Sequence, residues 1–188
     1  MEEGVDATNV LLIQFKMKRG FLLDEIWVLT VSASFQRANV YKSVDSTTDN
    51  KDFKESLKSF IVNLSNRYIN EYIDEAAHID NIKSIGTFST SYAHILNDGQ
   101  LCFGVCQKLL NLYLKYLWCL DILKFPPPHF PVDRIIQTKL KISKPYSWTQ
   151  MNNETNYLEV IRTARSVLNQ YNAQNLAELE LLLFNRRN

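Results

Sequence analysis

The sequence predicts a mainly α-helical fold, organised as a single multi-helix globular domain over residues 1–188. Three observations support this prediction. In several segments the apolar residues recur at steps of three or four, which is the repeat of one helix face. Five glycines and five prolines leave little material for the many turns of an all-β protein. A chain of 188 residues that is 46% hydrophobic can also bury a stable core without metals or disulfides.

The first forty residues contain two apolar segments that fit either a helix or a strand. Residues 10–15 are apolar, and residues 26–35 mix β-branched residues with a loose alternation. Short apolar runs do not separate a buried helix from a strand. The sequence therefore allows either helices or short strands for residues 5–40. Residues 42–52 are rich in Ser, Thr, Asp and Asn, which predicts a polar loop.

Helical periodicity is clear in the middle of the chain. Apolar side chains recur at steps of three or four over residues 51–74, which predicts a helix with one buried face. Residues 86–99 contain Gly, Ser, Thr, Asn and Asp, and they indicate a connector with at most one helical turn. Residues 101–123 predict a long helix that is apolar on nearly every side and therefore central. The proline-rich turn 124–131 must end that helix, because proline lacks an amide donor and restricts the residue before it.

Three helices are predicted after this turn. Pro131 suits the first position of a new helix, where no amide donor is needed. Residues 157–171 carry apolar side chains at steps of four and three, which predicts the next helix. A last helix begins at Asn175, because Asn175 and Glu178 have the spacing of a capping box.

The composition argues against several classes of protein. Three cysteines, an odd number, argue against a secreted disulfide framework. The acidic N-terminal residues do not resemble the basic start of a signal peptide. The longest apolar stretch, residues 109–123, is too short and too charged for a membrane span. We therefore expect a cytoplasmic protein without a membrane partner.

The cysteines do not have the spacing of a metal site. Cys102 and Cys106 share a helix face, but Cys119 lies 13 residues further along the chain. Structural zinc sites draw paired cysteines from tight turns, whereas buried cysteines behave as small apolar side chains. We therefore predict that the cysteines pack in the core and that the protein holds no metal. The sequence also lacks a glycine-rich phosphate loop, so it predicts no cofactor.

Basic side chains are concentrated in the second half of the chain. Residues 108–144 hold seven basic and two acidic side chains, whereas residues 1–80 hold nine basic and 13 acidic ones. A local basic excess attracts phosphate even when the whole chain is nearly neutral. A solvated helix face produces the same count, so the pattern allows both interpretations.

Lys108 and Lys115 are candidate catalytic residues on the predicted central helix. They are seven residues apart, so they lie on nearly the same face of a helix that is otherwise apolar. A lysine in apolar surroundings has a lowered pKa and can act as a nucleophile or form a Schiff base. Alternatively, each stem lies along the surface while its ammonium group reaches water. Asp133, just after the rigid turn, could bring a carboxylate beside one of the ammonium groups.

His129 lies in the same rigid turn, between Pro128 and Phe130 and shortly before Asp133. Such a histidine could orient Asp133 or bind a phosphate. The alternative is a structural role, in which the ring caps a helix or bonds to a backbone carbonyl. The sequence leaves both roles open.

Two short segments carry a resemblance to a known superfamily. Residues 103–108 read Phe-Gly-Val-Cys-Gln-Lys, and residues 131–136 read Pro-Val-Asp-Arg-Ile-Ile. Together they resemble the catalytic segment of the helix-hairpin-helix DNA glycosylases, an all-α superfamily with a Gly-Val-Gly hairpin, a nucleophilic lysine and a Val-Asp pair. The resemblance implies that Lys108 attacks the sugar C1′ of a flipped damaged nucleotide, while Asp133 activates the lysine or stabilises the charge on the sugar. Cys106 stands where that superfamily has its second hairpin glycine.

A second resemblance extends over more of the chain. It rests on thirteen residues: Phe103, Gly104, Gln107, Lys108, Asn111, Lys115, Tyr116, His129, Pro131, Asp133, Ile136, Trp148 and Tyr157. In this pattern the chain looks like a family of uncharacterised bacterial proteins from mobile or accessory gene pools. That family implies no established activity, and the two resemblances do not conflict.

Two functional hypotheses follow from these patterns. The first is a protein that acts on or binds DNA, with Lys108 and Asp133 as the reacting pair and Lys115 as the second candidate nucleophile. Its expected nucleic-acid contacts are Arg134, Lys139, Lys141 and His129. The alternative is a non-enzymatic module that binds another protein or forms a homodimer. The long apolar helix and the leucine-rich residues 176–184 would supply that surface.

Overall fold

The structure, a computed structural model of the chain, describes residues 7–42 and 47–184. One isolated β-bridge joins Tyr41 to Leu96, and most of the remaining described backbone is helical. The α-helices in these residues are α1 (Ala7–Phe35), α2 (Thr47–Asn70), α3 (Glu75–Ser89), α4 (Phe103–Cys119), α5 (Arg134–Lys139), α6 (Thr155–Val167) and α7 (Leu176–Leu183). Short 3-10 helices lie at Thr90–Tyr92, Trp148–Gln150 and Leu168–Tyr171. The prediction of a mainly α-helical fold is confirmed.

The N-terminal region, for which helices and strands were both open, forms one helix. Helix α1 runs through 29 residues without a break, and its described residues contain no strand. Its inner face packs against α4 and consists of side chains at steps of three and four: Leu23, Ile26, Trp27, Thr30, Val31 and Ser34. Residues 5 and 6 of the predicted range lie outside the described residues. The second half of α1 is therefore held by the core.

Helix α2 occupies part of the predicted polar loop 42–52. It begins at Thr47, and residues 43–46 lie outside the described part of the chain. Asp49 in the first turn places a carboxylate near the positive end of the helix dipole, which favours this early start. The buried face follows the predicted stripe and includes Phe53 and Leu57.

Helix α3 reaches into the region that the sequence indicated as a connector. It ends at Ser89, and a 3-10 turn continues to Tyr92, so the prediction of at most one helical turn in residues 86–99 was too short. Asp74 caps the helix by accepting a hydrogen bond from the backbone N–H of Ala77 at 2.8 Å. The helix extends this far because its apolar stripe continues into the core.

Helix α4 is the centre of the core, as predicted. Fourteen of its 17 residues are buried, because α1, α2, α3 and the turn at Trp148–Gln150 all pack around it. The helix ends at Cys119, four residues before the predicted end. There Asp121 adopts a left-handed backbone with φ 55°, and the N–H of Ile122 donates to the carbonyl of Leu117 at 3.0 Å. The left-handed residue and this hydrogen bond belong to a Schellman motif, which stops the helix before the prolines.

The proline-rich segment 124–131 lies between α4 and α5. Helix α5 begins at Arg134 rather than at Pro131, because Asp133 is its N-cap. Asp133 Oδ1 accepts hydrogen bonds from the next two free backbone amides, those of residues 135 and 136, at 2.9 and 3.1 Å. This cap fixes the aspartate side chain at the start of the helix.

Helices α6 and α7 lie where their periodicity predicted them. Helix α6 continues through a 3-10 turn as far as Tyr171. Asn175 Oδ1 accepts from the backbone N–H of Glu178 at 3.0 Å, and Glu178 Oε2 accepts from the N–H of Gln174 at 2.8 Å. The first bond is the half of the predicted capping box that caps α7, whereas Glu178 accepts from the backbone of the residue before the N-cap rather than from the backbone N–H of Asn175 itself.

Candidate functional site

A pocket of about 400 Å³ lies where α1, α4 and α7 meet the residues before α5. Much of its wall is apolar and includes Leu29, Ala33, Leu112, Pro131 and Leu181. Two lysines and two carboxylates interrupt this wall, and each lysine faces one carboxylate. A mainly apolar pocket with a few placed polar groups is the usual setting of a ligand site.

Lys108 and Asp133 form the first of these pairs. Lys108 Nζ lies 3.4 Å from Asp133 Oδ2, while Oδ1 of the same carboxylate caps α5. The two side chains are 11% and 20% exposed. The aspartate is therefore held by the helix that it begins, and its second oxygen faces the amine.

Gln107 and Val132, the chain neighbours of this pair, hold the two segments together. Gln107 Nε2 donates to the carbonyl of Val132 at 2.8 Å, and its Oε1 accepts from the N–H of Val132 at 3.0 Å. Gln107 is buried, so water does not compete for these two bonds. These two hydrogen bonds fix the distance between Lys108 on α4 and Asp133 before α5.

Lys115 and Glu180 form the second pair, at a more deeply buried position. Lys115 Nζ lies 2.8 Å from Oε1 and 2.6 Å from Oε2, and the two side chains are 11% and 4% exposed. Burial raises the pKa of Glu180, and Lys115 beside it offsets part of this rise. Helix α7 supplies the glutamate to the pocket wall opposite α4.

Each amine also lies against an aromatic ring. Lys108 Nζ is 4.2 Å from the ring centroid of Trp148, and Lys115 Nζ is 4.2 Å from that of Phe184. Such contacts stabilise a charged amine. Burial nevertheless lowers the pKa of Lys108, and the Asp133 carboxylate only partly offsets this effect. The neutral amine of Lys108 is therefore available at a lower pH than that of an ordinary lysine.

Gly104, in the first turn of α4, allows Trp148 to come this close. A Cβ atom at residue 104 would lie 1.6 Å from the carbonyl oxygen of Trp148, which is far inside van der Waals contact. The backbone N–H of Gly104 also donates to the carbonyl of Met151 at 2.9 Å. The glycosylase resemblance places this glycine in a hairpin, whereas the structure places it where α4 meets the turn at Trp148–Gln150.

Two arginines extend the site on one side. Arg37 and Arg134 line a shallow depression that also includes Lys108 and Asp133. A guanidinium group stays charged at any physiological pH and binds phosphate oxygens through paired hydrogen bonds. The reacting pair predicted from the sequence therefore lies between an apolar pocket and a basic depression.

The predicted site residues fall into three groups. The predicted catalytic residues line one pocket: Lys108, Lys115 and Asp133. Arg134 borders the depression beside it, while Lys139 and Lys141 are exposed at the other end of α5. His129 is 0% exposed, and its position does not suit the phosphate contact predicted from the sequence. Its ring is bonded instead to the side chains of Tyr157 and Glu75, and within the described residues neither the helix cap nor the backbone-carbonyl bond that the sequence also allowed is formed.

His129 belongs to a chain of buried hydrogen bonds that crosses the core. Six bonds of 2.8–3.0 Å join, in this order, Asn81, Tyr68, His78, Asn111, Tyr157, His129 and Glu75. The Asn81 amide nitrogen can only donate and the Glu75 carboxylate can only accept. Each residue between them therefore accepts a hydrogen bond from the residue before it in this order and donates one to the residue after it. Both histidines then carry their proton on Nε2. Burial lowers the pKa of His78 to about 3 and that of His129 to about 4, so both rings are neutral at pH 7.

Two residues of the site were not predicted from the sequence. Arg37 lies just after α1, in a segment for which the sequence did not decide between helix and strand. No sequence pattern near Arg37 indicates that it lies close to Asp133. Glu180 did carry a signal, because it interrupts the apolar face that Leu176 and Leu183 form on α7. A single acid on the inner face of a helix indicates a buried partner of opposite charge.

The cysteines do not converge on one point. Cys106 is buried and Cys102 is half-buried, but Cys119 is exposed, because α4 ends there. Cys119 therefore departs from the predicted core packing. Among the described residues, no three or more His, Cys, Asp or Glu side chains are grouped so that they could hold a metal ion.

No helix within residues 7–42 and 47–184 combines the length and the apolar character that crossing a bilayer requires. Comparison of the chain with protein-family models, with curated proteins and with solved structures found no match. Both resemblances described for the sequence therefore stay predictions.

Proposed function

We propose that the pocket is a Schiff-base site that acts on DNA, with Lys108 as the nucleophile and Asp133 as its proton acceptor. The observation that carries this proposal is the 3.4 Å approach of Lys108 Nζ to Asp133 Oδ2 in the wall of an open pocket. A buried amine with a lowered pKa and a carboxylate beside it has the properties that imine formation requires.

The reaction joins the amine to the aldehyde carbon, C1′, of an abasic sugar in its open-chain form. Lys108 transfers a proton to Asp133, its lone pair adds to C1′, and Asp133 returns the proton to the former carbonyl oxygen. A second proton moves from the nitrogen to this oxygen, which leaves as water while the carbon–nitrogen double bond of the protonated imine forms. Transfer of a C2′ proton from the protonated imine to water then breaks the C3′–oxygen bond and releases the 3′ phosphate. Asp133 is placed to move the proton in the first of these steps.

DNA is the substrate class that the surroundings of the pair favour. Arg37 and Arg134 border the reacting groups, and Lys139 and Lys141 add exposed positive charge at and just after the end of α5. A pocket of about 400 Å³ is suited to one extruded nucleotide rather than to a duplex. In this proposal the protein acts in the cytoplasm of a bacterial cell, as the second resemblance implies.

Borohydride trapping on DNA that contains abasic sites tests the proposal. We expect the wild-type protein to form a covalent adduct and Lys108→Ala to form none. Asp133→Asn should slow adduct formation by about a hundredfold, because the proton acceptor is lost. The matched control is the double variant Lys115→Met with Glu180→Leu, because it removes the other lysine of the same pocket, equally exposed at 11%, together with the carboxylate that would otherwise be left buried without a partner. It should retain the adduct.

Two results would contradict this assignment. A wild-type protein that is folded and forms no adduct on any abasic substrate would exclude the imine mechanism. An adduct of undiminished yield in Lys108→Ala would place the nucleophile elsewhere. Circular dichroism and thermal unfolding of each variant separate loss of chemistry from loss of fold.

A second candidate function, a non-enzymatic interaction module, is favoured by a different observation. The surface expected from the long apolar helix is not available, because α4 is buried. Leu182 on α7 is 61% exposed, and α1 exposes a much larger apolar face. A contiguous apolar surface of that kind usually marks a contact with another macromolecule.

A further inference from the structure

Helix α1 carries an apolar face that the core does not cover. Ten large apolar side chains between Val10 and Leu29 are exposed. The most exposed are Leu11, Phe15, Met17 and Phe21, each with 59–68% of its surface open. At 100° per residue, eight of the ten point away from the inner stripe that packs on α4. They form one face about 28 Å long on the solvent side of the helix.

The area of this face is that of a specific interface. The eight side chains together expose about 800 Å², as much as each partner contributes to a standard protein–protein contact, whereas the largest apolar patch of a monomer is usually smaller. A contiguous apolar face of this size usually marks a contact with another macromolecule.

The distribution of charge on α1 does not suit a membrane surface. Lys16, Lys18 and Arg19 point in three different directions around the helix, so they do not form one polar side. A helix that lies in a bilayer interface has its charges on one side and its apolar residues on the other. A protein surface that contacts most of the outer face fits α1 better.

We propose that α1 packs against α1 of a second copy of this chain as an antiparallel pair. The two-fold axis passes between Phe21 and Leu22, which both lie on the outer face. Counting outward from this axis, Lys18 of each copy faces Glu25 of the other. A parallel pair would instead place like charges opposite each other, which is unfavourable. A two-fold arrangement buries the same face on both copies and closes as a dimer.

The charges on the face are available for this contact. Neither Lys18 nor Glu25 is in an ion pair with another described residue of its own chain. Asp24, next to Glu25, is already paired with Lys58 on α2 at 2.5 Å. The antiparallel register therefore brings Lys18, which has no ion pair among the described residues, opposite Glu25, which has none either, at two places related by the axis.

Sedimentation velocity of the full chain over a concentration series tests the proposal. We expect a dimer for the wild type and a monomer for Phe21→Glu. Lys18→Glu alone and Glu25→Lys alone should each raise the dissociation constant at least tenfold, about the effect of facing like charges at an interface. The double exchange restores opposite charges across the axis and should restore the dimer. Lys16→Glu, the same reversal on the other side of α1, is the matched control and should leave the dimer unchanged.

Three results would overturn the inference. The first is a wild type that stays monomeric throughout the series. The second is a dimer that neither Phe21→Glu nor the single charge reversals weaken, since it would use another surface. The third is a monomer that floats with phosphatidylserine vesicles, since lipid would then cover the face. None of these variants touches the lysine–aspartate pair, so the outcome is independent of the trapping experiment.

Discussion

The ammonium group of Lys115 contacts both carboxylate oxygens of Glu180, although the two residues are 65 positions apart in the chain. The glutamate is the more buried partner, with 4% of its side chain exposed. A buried ion pair stabilises a fold little compared with apolar residues, but removal of one partner leaves an uncompensated charge. The pair therefore restricts which substitutions the pocket tolerates.

The first prediction concerns this pair. We expect Lys115→Met to lower the free energy of unfolding by about 3 kcal/mol, because Glu180 is then buried without a partner. The double variant Lys115→Met with Glu180→Leu should lie close to the wild type. Urea denaturation at neutral pH measures both. The control is Lys51→Met, which breaks an exposed pair with Glu55 and should change stability by less than about 0.5 kcal/mol. A double variant as unstable as the two single losses added together would contradict the prediction.

The second prediction separates the two roles of Asp133. Asp133→Asn keeps an oxygen that caps α5 but removes the charge that faces Lys108, whereas Asp133→Ala removes both. We expect the pKa of Lys108 to fall further in both variants, because the carboxylate that raises it is gone. Only the alanine should also lose the cap, which costs about 1 kcal/mol. NMR titration of reductively methylated lysines gives the pKa, and urea denaturation gives the stability.

The control for these variants is Asp74, which caps α3 in the same way. Asp74→Ala should lose the same cap energy as Asp133→Ala. The pKa of Lys108 should not change in Asp74→Ala. An unchanged Lys108 titration in Asp133→Asn would show that the 3.4 Å pair does not form in solution.

The third prediction is a loss of stability in mild acid. The unfolded chain protonates each histidine as the pH falls below 6.5, whereas folded His129 and His78 bind protons only near pH 4 and pH 3. The stability that these two neutral histidines contribute is therefore complete above pH 6.5. Below that pH the free energy of unfolding falls by about 1.4 kcal/mol per pH unit for each of them. Urea denaturation at neutral pH and at about pH 5 measures the decline. His129→Gln should reduce the decline by about half.

His94 provides the control for this pH dependence. Its side chain is 61% exposed, so His94→Gln should leave the decline unchanged. An equal decline in wild type and in His129→Gln would mean that His129 is already protonated in the folded protein. That result would also contradict the single donor direction of the buried chain of hydrogen bonds.

The fourth prediction contrasts two glycines. Gly104→Ala places a methyl group against the Trp148 carbonyl, so α4 and the turn must separate, and we expect a loss of about 2 kcal/mol or more. Gly20→Ala, in the exposed part of α1, meets nothing within 4 Å and should stabilise the protein by up to about 1 kcal/mol through helix propensity. Thermal unfolding compares the two. Equal effects would mean that Trp148 is not packed against α4.

Most helices could be predicted because their apolar residues fall on one face. Helices α2, α6 and α7 follow this rule, whereas α4 could be predicted because it is apolar on nearly every side. Helix α1 could not be predicted, because in its first half apolar and charged residues are both spread around the helix, so that neither kind forms one face. The stripe that begins at Leu23 is too short to decide between helix and strand without the core that it contacts.

The candidate site could be predicted only in part, for a related reason. Lys108 and Lys115 are recognisable as charges on an apolar helix, and Asp133 follows a rigid turn. The partner of Lys115 depends on contact between α4 and α7, which no local pattern contains. The burial of His129 likewise depends on side chains from α3 and α6, and the sequence does not indicate that they enclose the proline-rich segment.

Leu29 belongs to two surfaces at once. It is 45% exposed on the outer face of α1, and it also forms part of the pocket wall beside the two lysines. A substitution at Leu29 therefore alters the pocket wall and the outer face of α1 together.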